Sequence, residues 1–375
     1  MNATTSEANE RLAAITAAGT SVWLDQIGRV LIESGELHGL VQTSCLRGVT
    51  SNPAIFEKAI METSDYDEHL GELARAGHTA AEIYLAMAVK DVQLGTDVLR
   101  PVWDSSGGTD GFVSLEVAPD LANDTEATMA QAREYWDLVD RPNLMIKIPG
   151  TAAGAPAIEQ MIYEGRNINV TLLFAVSAYE QIAEAYIRGL ERRHAEGLSV
   201  DVRSVASFFV SRVDTEADPR LAALGRDDLA GTTGLANARA AYQRFEEIFY
   251  GERFAAVRAE GAAVQRPLWA STGVKNTAYS DVMYVDGLIA PDTVNTMPMA
   301  TLEASADHAE VVGATADLDP AAHLAALAAA GLDLDDVTAL LLTQGIEKFV
   351  EPMDKLLAGI ETRRRAVLGE PAEGS

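Results

Sequence analysis

Short apolar runs alternate with longer amphipathic stretches along almost the whole chain. Eight of the short runs have the composition of β-strands, and they cover 21–25, 48–52, 112–117, 144–149, 168–174, 202–210, 267–271 and, with a weaker pattern, part of 292–298. The stretches between them repeat apolar residues at helical spacing, as in Ile83, Met87, Leu94 and Val98. This alternation is typical of βα units that build a parallel sheet.

Eight strands with intervening helices in a chain of 375 residues favour an α/β fold of the (β/α)8 TIM-barrel type with additional helices. An open doubly wound sheet is the alternative. We predict one barrel domain over 1–375, with a helical insertion at about 218–261 and C-terminal helices at about 320–368. The first ten or so residues and the last seven, GEPAEGS, are predicted to be disordered.

Polar residues recur at the ends of the predicted strands, on the face that should point into a barrel. Leu144, Ile146 and Ile148 share one face of their strand and leave Lys147 on the other. The same alternation sets Val170 and Leu172 on the outer face of another strand. It directs a further set of polar side chains inward: Asp25, Thr50, Asn52, Glu116, Asn169 and Thr171. Because catalytic groups of barrels collect at the carboxyl ends of strands, these residues are candidates for an active site. For each one, a solvated strand terminus is the alternative.

Lys147 has the most specific chemistry of this set. Burial of a charged ammonium among Met145, Ile146 and Ile148 costs roughly several kcal/mol, which favours loss of its proton. The neutral amine is then a nucleophile toward carbonyl groups. A buried salt bridge from Lys147 to Glu116 or Asp25 is the alternative.

The charge balance narrows the range of partners. The chain has 29 Lys and Arg against 56 Asp and Glu, a formal net charge of -27, which argues against binding to nucleic acid or to anionic membranes. A phosphorylated substrate must therefore meet a few placed cations. Arg212 and Lys275 follow the sixth and seventh predicted strands, where barrels often bind phosphate, although a simple surface charge is the alternative for each.

Several further classes of protein find no support in the sequence. Cys45 is the only cysteine, which excludes an internal disulfide and fits a reducing cytoplasm. The scattered histidines give no zinc-site spacing, so we expect no metal, and no glycine-rich nucleotide motif implies a cofactor. The N-terminal MNATTSEANERLAA lacks a signal-peptide pattern, and no run approaches eighteen apolar residues. We therefore expect a chain that is neither secreted nor membrane-spanning.

Several motifs together resemble those of the transaldolases. They are GVTSNPAIF (48–56), VSLEV (113–117), MIKIPGT (145–151), NINVTLLF (167–174), SFFVSR (207–212) and STGVKN (271–276), in the order that the family requires. The resemblance implies a (β/α)8 barrel of the class I aldolase type. It also implies that Lys147 forms a Schiff base and that Asp25 is the general acid/base at the C4 hydroxyl of the sugar. Glu116 resembles the carboxylate that moves protons through a water held with Thr171.

The resemblance also assigns binding roles. It implies that the dihydroxyacetone portion of the substrate is lined by residues from three motifs, namely Thr50, Asn52, Asn169 and Ser207. The resemblance implies that Phe209 binds the substrate as well. Arg212 matches the family's phosphate-binding arginine, whereas Lys275 stands where a second arginine is usual.

The activity implied is a cofactor-free transfer of dihydroxyacetone in the non-oxidative pentose phosphate pathway. The donors are sedoheptulose 7-phosphate or fructose 6-phosphate, and the acceptors are glyceraldehyde 3-phosphate or erythrose 4-phosphate. Sugar phosphates are the expected partners, and family members are often homodimers. One alternative is the related fructose-6-phosphate aldolases, which release free dihydroxyacetone but tend to carry glutamine at position 116 and tyrosine at 209. A catalytically idle barrel that serves as a scaffold is the other alternative.

Overall fold

The computed structural model describes residues 8–371, in which eight parallel strands close into a barrel in chain order. The strands are β1 (Thr20–Leu24), β2 (Gly48–Val49), β3 (Phe112–Glu116), β4 (Leu144–Pro149), β5 (Ile168–Leu173), β6 (Ser204–Phe209), β7 (Arg266–Ala270) and β8 (Thr293–Met297). β1 pairs with β8, which completes the ring. The predicted (β/α)8 barrel is therefore confirmed, and the open sheet is excluded.

Helices surround this barrel on the outside and extend beyond the minimal pattern of one per strand. They are α1 (Glu10–Ala17), α2 (Arg29–Glu33), α3 (Glu36–Thr43), α4 (Pro53–Met61), α5 (Asp67–Arg75), α6 (Ala80–Ser105), α7 (Thr125–Val139), α8 (Gly154–Tyr163), α9 (Val176–Ala195), α10 (Ser211–Ala223), α11 (Thr233–Phe249), α12 (Glu252–Ala259), α13 (Met283–Asp286), α14 (Met299–His308), α15 (Ala321–Ala330) and α16 (Leu334–Leu368). Short 3-10 helices cover Pro119–Asn123 and Asp227–Leu229.

Two segments carry helices in addition to those of the repeating units. Within 218–261 lie the end of α10 and all of α11 and α12, and within 320–368 lie α15 and α16. The division of the chain into domains stays a prediction. The disorder expected for the termini falls largely on residues 1–7 and 372–375, which lie outside the described residues. Within 8–371, no helix has both the length and the apolar character needed to cross a membrane.

The strands separate two groups of buried apolar side chains. Leu144, Ile146 and Ile148 belong to a cluster that also contains the inward faces of the surrounding helices, as period-2 alternation predicts. The barrel interior is filled from several strands by Trp23, Phe112, Met145, Val205, Leu268 and Val294. Trp23 leaves no room opposite it, because a Cβ on Gly48 would lie 2.4 Å from the indole ring. Large side chains thus fill the barrel interior around Trp23.

The predicted outward position of Leu172 is wrong. A register shift interrupts the pairing of β5 with β6 between Val170 and Leu173, and Leu172 has a φ of 60°. Leu172 therefore joins the second cluster, while Leu173 takes the place in the first cluster that alternation had given to Leu172. A bulge of this kind adds one residue to a strand and reverses the alternation beyond it.

The long helix α16 packs against α4, α5, α6 and α10 and against the end of β5. Its close approach to β5 depends on Gly345, where a Cβ would lie 3.0 Å from Leu172 Cδ2. Near its C-terminal end, Arg363 donates hydrogen bonds to the carbonyl oxygens of Ile60 and Met61 at 3.0 and 2.8 Å. These contacts hold α16 beside the carboxyl ends of the strands, where the cavity lies.

Candidate active site

A cavity of about 190 Å³ lies at the carboxyl ends of the barrel strands. Its walls include nine of the residues singled out from the sequence: Asp25, Thr50, Asn52, Lys147, Thr171, Ser207, Phe209, Arg212 and Lys275. The other two, Glu116 and Asn169, are buried just behind this wall and contact Lys147 and Ser207 directly. The structure thus brings all of the predicted site residues together.

The side chain of Lys147 is buried at the base of this cavity, with 5% of its surface exposed. Its Nζ lies 3.1 Å from Glu116 Oε2 and donates a hydrogen bond of 3.0 Å to the carbonyl oxygen of Ser51. The contact with Glu116 follows from the strand register, which pairs Glu116 on β3 with Lys147 on β4. The buried pair that the sequence left as an alternative is therefore present, and it involves Glu116. Lys147 still borders the cavity, so the same amine is accessible to a small ligand.

The surroundings of Glu116 change the pKa of its carboxyl group. Burial raises the pKa of its carboxyl to about 7, although the charge and hydrogen bond of Lys147 oppose the shift and the charge of Asp25 adds to it. Its oxygens make no hydrogen bond to any group of residues 8–371 other than the close approach of Lys147. A carboxyl group with these properties can accept a proton from a neighbouring amine or water and return it.

Asp25 follows β1 and is partly exposed to the cavity. Its Oδ1 accepts a hydrogen bond of 2.6 Å from Thr50 Oγ1, which also lies 2.7 Å from Thr296 Oγ1. Burial raises the pKa of Asp25, while the positive charge of Lys147, the Thr50 hydrogen bond and the charge of Arg212 oppose this shift. The carboxyl is thus held in a fixed orientation by a hydroxyl from the neighbouring strand.

A chain of hydrogen bonds across β3, β5 and β6 fixes the floor of the cavity. Ser207 Oγ donates to Asn169 Oδ1 at 2.7 Å, and Asn169 Nδ2 donates to Ser114 Oγ at 3.0 Å. Thr171, at the start of the β5 bulge, has a buried hydroxyl that no other described group contacts by a hydrogen bond. A buried hydroxyl without a partner is costly unless a ligand or water completes it, which makes Thr171 a candidate for holding one.

Asn52 has a structural task besides its place in the cavity wall. It is the N-cap of α4, and its side-chain oxygen accepts a hydrogen bond of 3.0 Å from the backbone amide of Ile55. Pro53 follows at the first helical position. Its missing N–H costs nothing there, because an N–H at this position has no partner within the helix. The cap fixes the side-chain oxygen and leaves the amide nitrogen of Asn52 for a ligand.

Two cations, Arg212 and Lys275, also line the cavity. The Arg212 guanidinium lies over the ring of Phe209, 5.3 Å from its centroid, and its Nη1 is buried without a partner among residues 8–371. Burial lowers the pKa of Arg212, and the charge of Asp25 opposes this shift. Lys275 is exposed and forms no ion pair with any described residue. In a chain with a net charge of -27, two cations that line one cavity and form no ion pair within residues 8–371 favour an anionic ligand.

Sequence reasoning missed several residues of this cavity. Thr296 lies in β8 and Pro298 follows it, and Ser271 and Gly273 follow β7. Phe349 comes from α16, with its ring centroid 5.5 Å from Lys147 Nζ. The polar end of β8 carried a usable signal in TVNTMP, but that strand was the weakest of the eight in the sequence. Phe349 carried none, because helical periodicity does not show where a helix lies in space.

The sequence itself matches one known family over most of its length. The profile of the Transaldolase/Fructose-6-phosphate aldolase family matches residues 22–360. The chain belongs to this family. The protein is therefore an enzyme of the transaldolase/fructose-6-phosphate aldolase family, and the barrel and the buried Lys147 belong to such an enzyme.

Curated members of the transaldolase/fructose-6-phosphate aldolase family are similar to this chain from end to end. A protein named Transaldolase from Mycolicibacterium paratuberculosis is 49% identical over 357 residues, which cover 93% of this chain and 96% of that relative. Transaldolase from Saccharopolyspora erythraea is 49% identical over 354 residues, with the same coverage of both chains. Transaldolase 1 from Streptomyces avermitilis is 48% identical over 378 residues and covers 99% of both chains.

Proposed function

We propose that this enzyme transfers a dihydroxyacetone unit between sugar phosphates through a Schiff base on Lys147. The observation that carries the proposal is the buried Lys147 amine, in contact with Glu116 and open to a cavity that also holds Asp25 and Arg212, whose Nη1 has no hydrogen-bond partner among the described residues. The transaldolase names of its relatives support the same activity. The donors are sedoheptulose 7-phosphate or fructose 6-phosphate, and the acceptors are glyceraldehyde 3-phosphate or erythrose 4-phosphate.

The first step joins the substrate to the lysine. The neutral Lys147 amine attacks the C2 carbonyl carbon, and Glu116 accepts the proton that the nitrogen loses as the carbinolamine forms. Glu116 passes this proton to the C2 oxygen, which completes the neutral carbinolamine. A second proton, taken up from solvent through Glu116, then protonates the carbinolamine hydroxyl, which leaves as water and gives the cationic iminium. Thr171, whose buried hydroxyl has no other partner among the described residues, is suited to hold the water in this exchange.

The second step breaks the bond between C3 and C4. Asp25 removes the proton of the C4 hydroxyl, the aldose phosphate leaves, and the bonding electrons pass into the iminium to form an enamine on Lys147. The enamine carbon then attacks the carbonyl carbon of the acceptor, and Asp25 returns its proton to the new hydroxyl. Addition of water at C2 finally releases the product ketose and frees the amine.

The remaining residues bind the two ends of the substrate. Thr50, Asn52, Asn169 and Ser207 line the dihydroxyacetone portion close to Lys147. Arg212 and Lys275 bind the phosphate on the opposite wall, with Arg212 as a fork for two oxygens and Lys275 as a point charge. We place this reaction in the cytoplasm, in the non-oxidative pentose phosphate pathway, and a homodimer is the assembly to test.

A second candidate function is the aldolase reaction. There a proton takes the place of the acceptor at the enamine carbon, and water then hydrolyses the iminium and releases dihydroxyacetone. Glu116 and Phe209 favour transfer, because the aldolases related to this family tend to carry glutamine and tyrosine at these positions. A coupled assay with fructose 6-phosphate and erythrose 4-phosphate separates the two functions. Formation of sedoheptulose 7-phosphate in large excess over free dihydroxyacetone supports transfer, and the reverse ratio supports the aldolase.

The covalent intermediate gives a direct test of the proposed chemistry. We expect borohydride, added together with fructose 6-phosphate, to reduce an adduct onto Lys147, because only an iminium is reduced to a stable amine there. Mass spectrometry of the peptide that contains NLMIKIPG measures the modification. Borohydride without sugar is the control. An adduct on another lysine, or none, contradicts the mechanism.

The pH dependence of Schiff-base formation tests the role of Glu116. Because the pKa of Glu116 is raised to about 7 and only the carboxylate accepts a proton, we expect the rate to fall as pH drops through about 7. Glu116→Gln should remove this acid limb and slow the reaction by roughly 10²- to 10⁴-fold. Single-turnover trapping with dihydroxyacetone at a series of pH values measures both effects. An unchanged acid limb in Glu116→Gln would assign it to another group.

A further inference from the structure

Two aspartates of helix α10, two and six residues after Arg212, make the same pair of hydrogen bonds. Asp214 Oδ1 accepts from the backbone amide of Gly234 at 2.9 Å, and its Oδ2 accepts from the hydroxyl of Tyr284 at 2.7 Å. The duplicate arrangement four residues later involves Asp218, which accepts from the amide of Gly231 and the hydroxyl of Tyr279, both at 2.8 Å. Each carboxylate thus joins α10 to two other segments. We call the two tyrosine–aspartate pairs the α10 clasp.

The tyrosines of the α10 clasp belong to the connection from β7 to β8, which also contains Lys275. Tyr279 lies in a turn in which its amide donates to the carbonyl oxygen of Asn276 at 3.1 Å, and Tyr284 is buried in the short helix α13. Lys275 precedes both and makes no hydrogen bond or ion pair with any described residue. Its position therefore depends on the backbone that the clasp holds.

Close packing restricts the movement of the α10 clasp. Gly231 has a φ of 73°, and a Cβ there would lie 2.6 Å from the ring of Tyr279. A Cβ on Gly234 would lie 2.8 Å from Asp214 Oδ2. Burial raises the pKa of Asp214 to about 6, with the hydrogen bonds from Gly234 and Tyr284 opposing the shift. Asp214 is thus mostly ionised at neutral pH, and hydrogen bonds to a charged acceptor are the stronger kind.

We propose that the α10 clasp positions Lys275 opposite Arg212 and thereby sets the affinity of the enzyme for the phosphate group of its substrates. Arg212 and Lys275 line the same cavity, and the clasp attaches the Lys275 segment to the helix that carries Arg212. Tyr279, Tyr284, Asp214 and Asp218 are positioning residues, because they act through Lys275. The inference rests on the proposed function, in which this wall of the cavity binds phosphate.

Removal of one clasp hydroxyl is the test. In Tyr279→Phe, we expect the KM for fructose 6-phosphate to rise about 5- to 20-fold, while kcat changes less than about twofold. This rise is only part of the loss expected for a hydrogen bond to a charged group, because Tyr279 acts on the phosphate through Lys275. The rate of borohydride trapping with dihydroxyacetone, which has no phosphate, should stay at the wild-type value. Tyr284→Phe should act in the same direction. Tyr284 is buried, so if that variant does not fold, Tyr279→Phe carries the test.

Tyr250→Phe is the matched control. Tyr250 also donates a hydrogen bond to an aspartate, Asp292, but both residues border a different cavity, which Phe112 and Met145 of the barrel interior also line. The inference is overturned if Tyr250→Phe raises the KM as much as Tyr279→Phe, if Tyr279→Phe leaves the KM unchanged, or if it slows trapping of dihydroxyacetone to the same extent. The last result would mark a general structural role.

Arg212→Met separates failure of this inference from failure of the proposed function. If Arg212→Met raises the KM for fructose 6-phosphate and Tyr279→Phe does not, phosphate binds at this wall and only the α10 clasp proposal is wrong. If Arg212→Met also leaves the KM unchanged, the phosphate lies elsewhere, and the proposed binding mode fails together with the inference.

Discussion

Replacement of Lys147 by methionine is expected to lower kcat/KM on the order of 10⁴-fold or more, because the proposed iminium forms on this amine. Methionine keeps the length of the side chain and suits a buried position. Activity with fructose 6-phosphate and erythrose 4-phosphate measures the loss, and borohydride trapping should give no adduct. Lys90→Met, at an exposed position of α6, is the matched control and should keep full activity. Residual activity within about a hundredfold of the wild type would rule out the Schiff base.

The same variant should change the pH dependence of stability. The charge of Lys147 is the main influence that lowers the pKa of Glu116, so its loss should raise this pKa above its value of about 7. When a carboxyl group has a higher pKa in the folded state than in the unfolded state, the protein loses stability as the pH rises from the unfolded-state pKa to the folded-state pKa. Lys147→Met should therefore be more stable to denaturant at about pH 5 than at about pH 8. This comparison also shows that the inactive variant is folded.

Replacement of Asp25 by asparagine is expected to lower turnover by roughly 10²- to 10⁴-fold, the range for loss of a general acid/base. Asparagine keeps the shape of the side chain, and its oxygen can still accept the hydrogen bond that Thr50 donates to Asp25 at 2.6 Å in the wild type. Schiff-base formation should survive, whereas cleavage of the C3–C4 bond should not. Borohydride trapping with fructose 6-phosphate should then give mainly an adduct that retains the whole sugar phosphate, instead of the three-carbon adduct of the wild type.

The mass of this adduct distinguishes the role of Asp25 from that of Glu116. Glu116→Gln should reduce the amount of every adduct, because it slows the step that forms them all. Asp25→Asn should change which adduct accumulates. A three-carbon adduct in Asp25→Asn at the wild-type rate would show that another residue removes the C4 hydroxyl proton.

The barrel and much of its candidate active site could be predicted from the sequence, because both depend on local periodicity. Alternation along β4 placed Lys147 opposite Leu144, Ile146 and Ile148, and the structure has the same division. Parallel strands end at the same edge of a barrel, so polar residues at separate strand ends had to meet. The sequence could not show that Lys147 contacts Glu116 and not Asp25, since that choice follows from the register of β3 with β4.

Other features depend on interactions that no local pattern encodes. Leu172 was placed on the wrong face because a bulge in β5 adds a residue after Val170. The hydrogen bond from Lys147 to the carbonyl oxygen of Ser51 involves the backbone, for which side-chain identity carries no signal. Phe349 reaches the cavity through the packing of α16 across the end of the barrel, which is a property of the assembled fold.

The late position of Phe349 in the chain affects the order in which the parts of the cavity form during synthesis. The last strand of the barrel ends at Met297, whereas the aromatic ring beside the Lys147 amine comes from residue 349 in the longest helix. A ribosome that has released the eight strands has therefore not yet supplied this part of the wall. Domains can fold during synthesis, so the barrel can close while its reactive amine is still uncovered on one side. Docking of α16 then adds the Phe349 ring to the cavity wall beside Lys147.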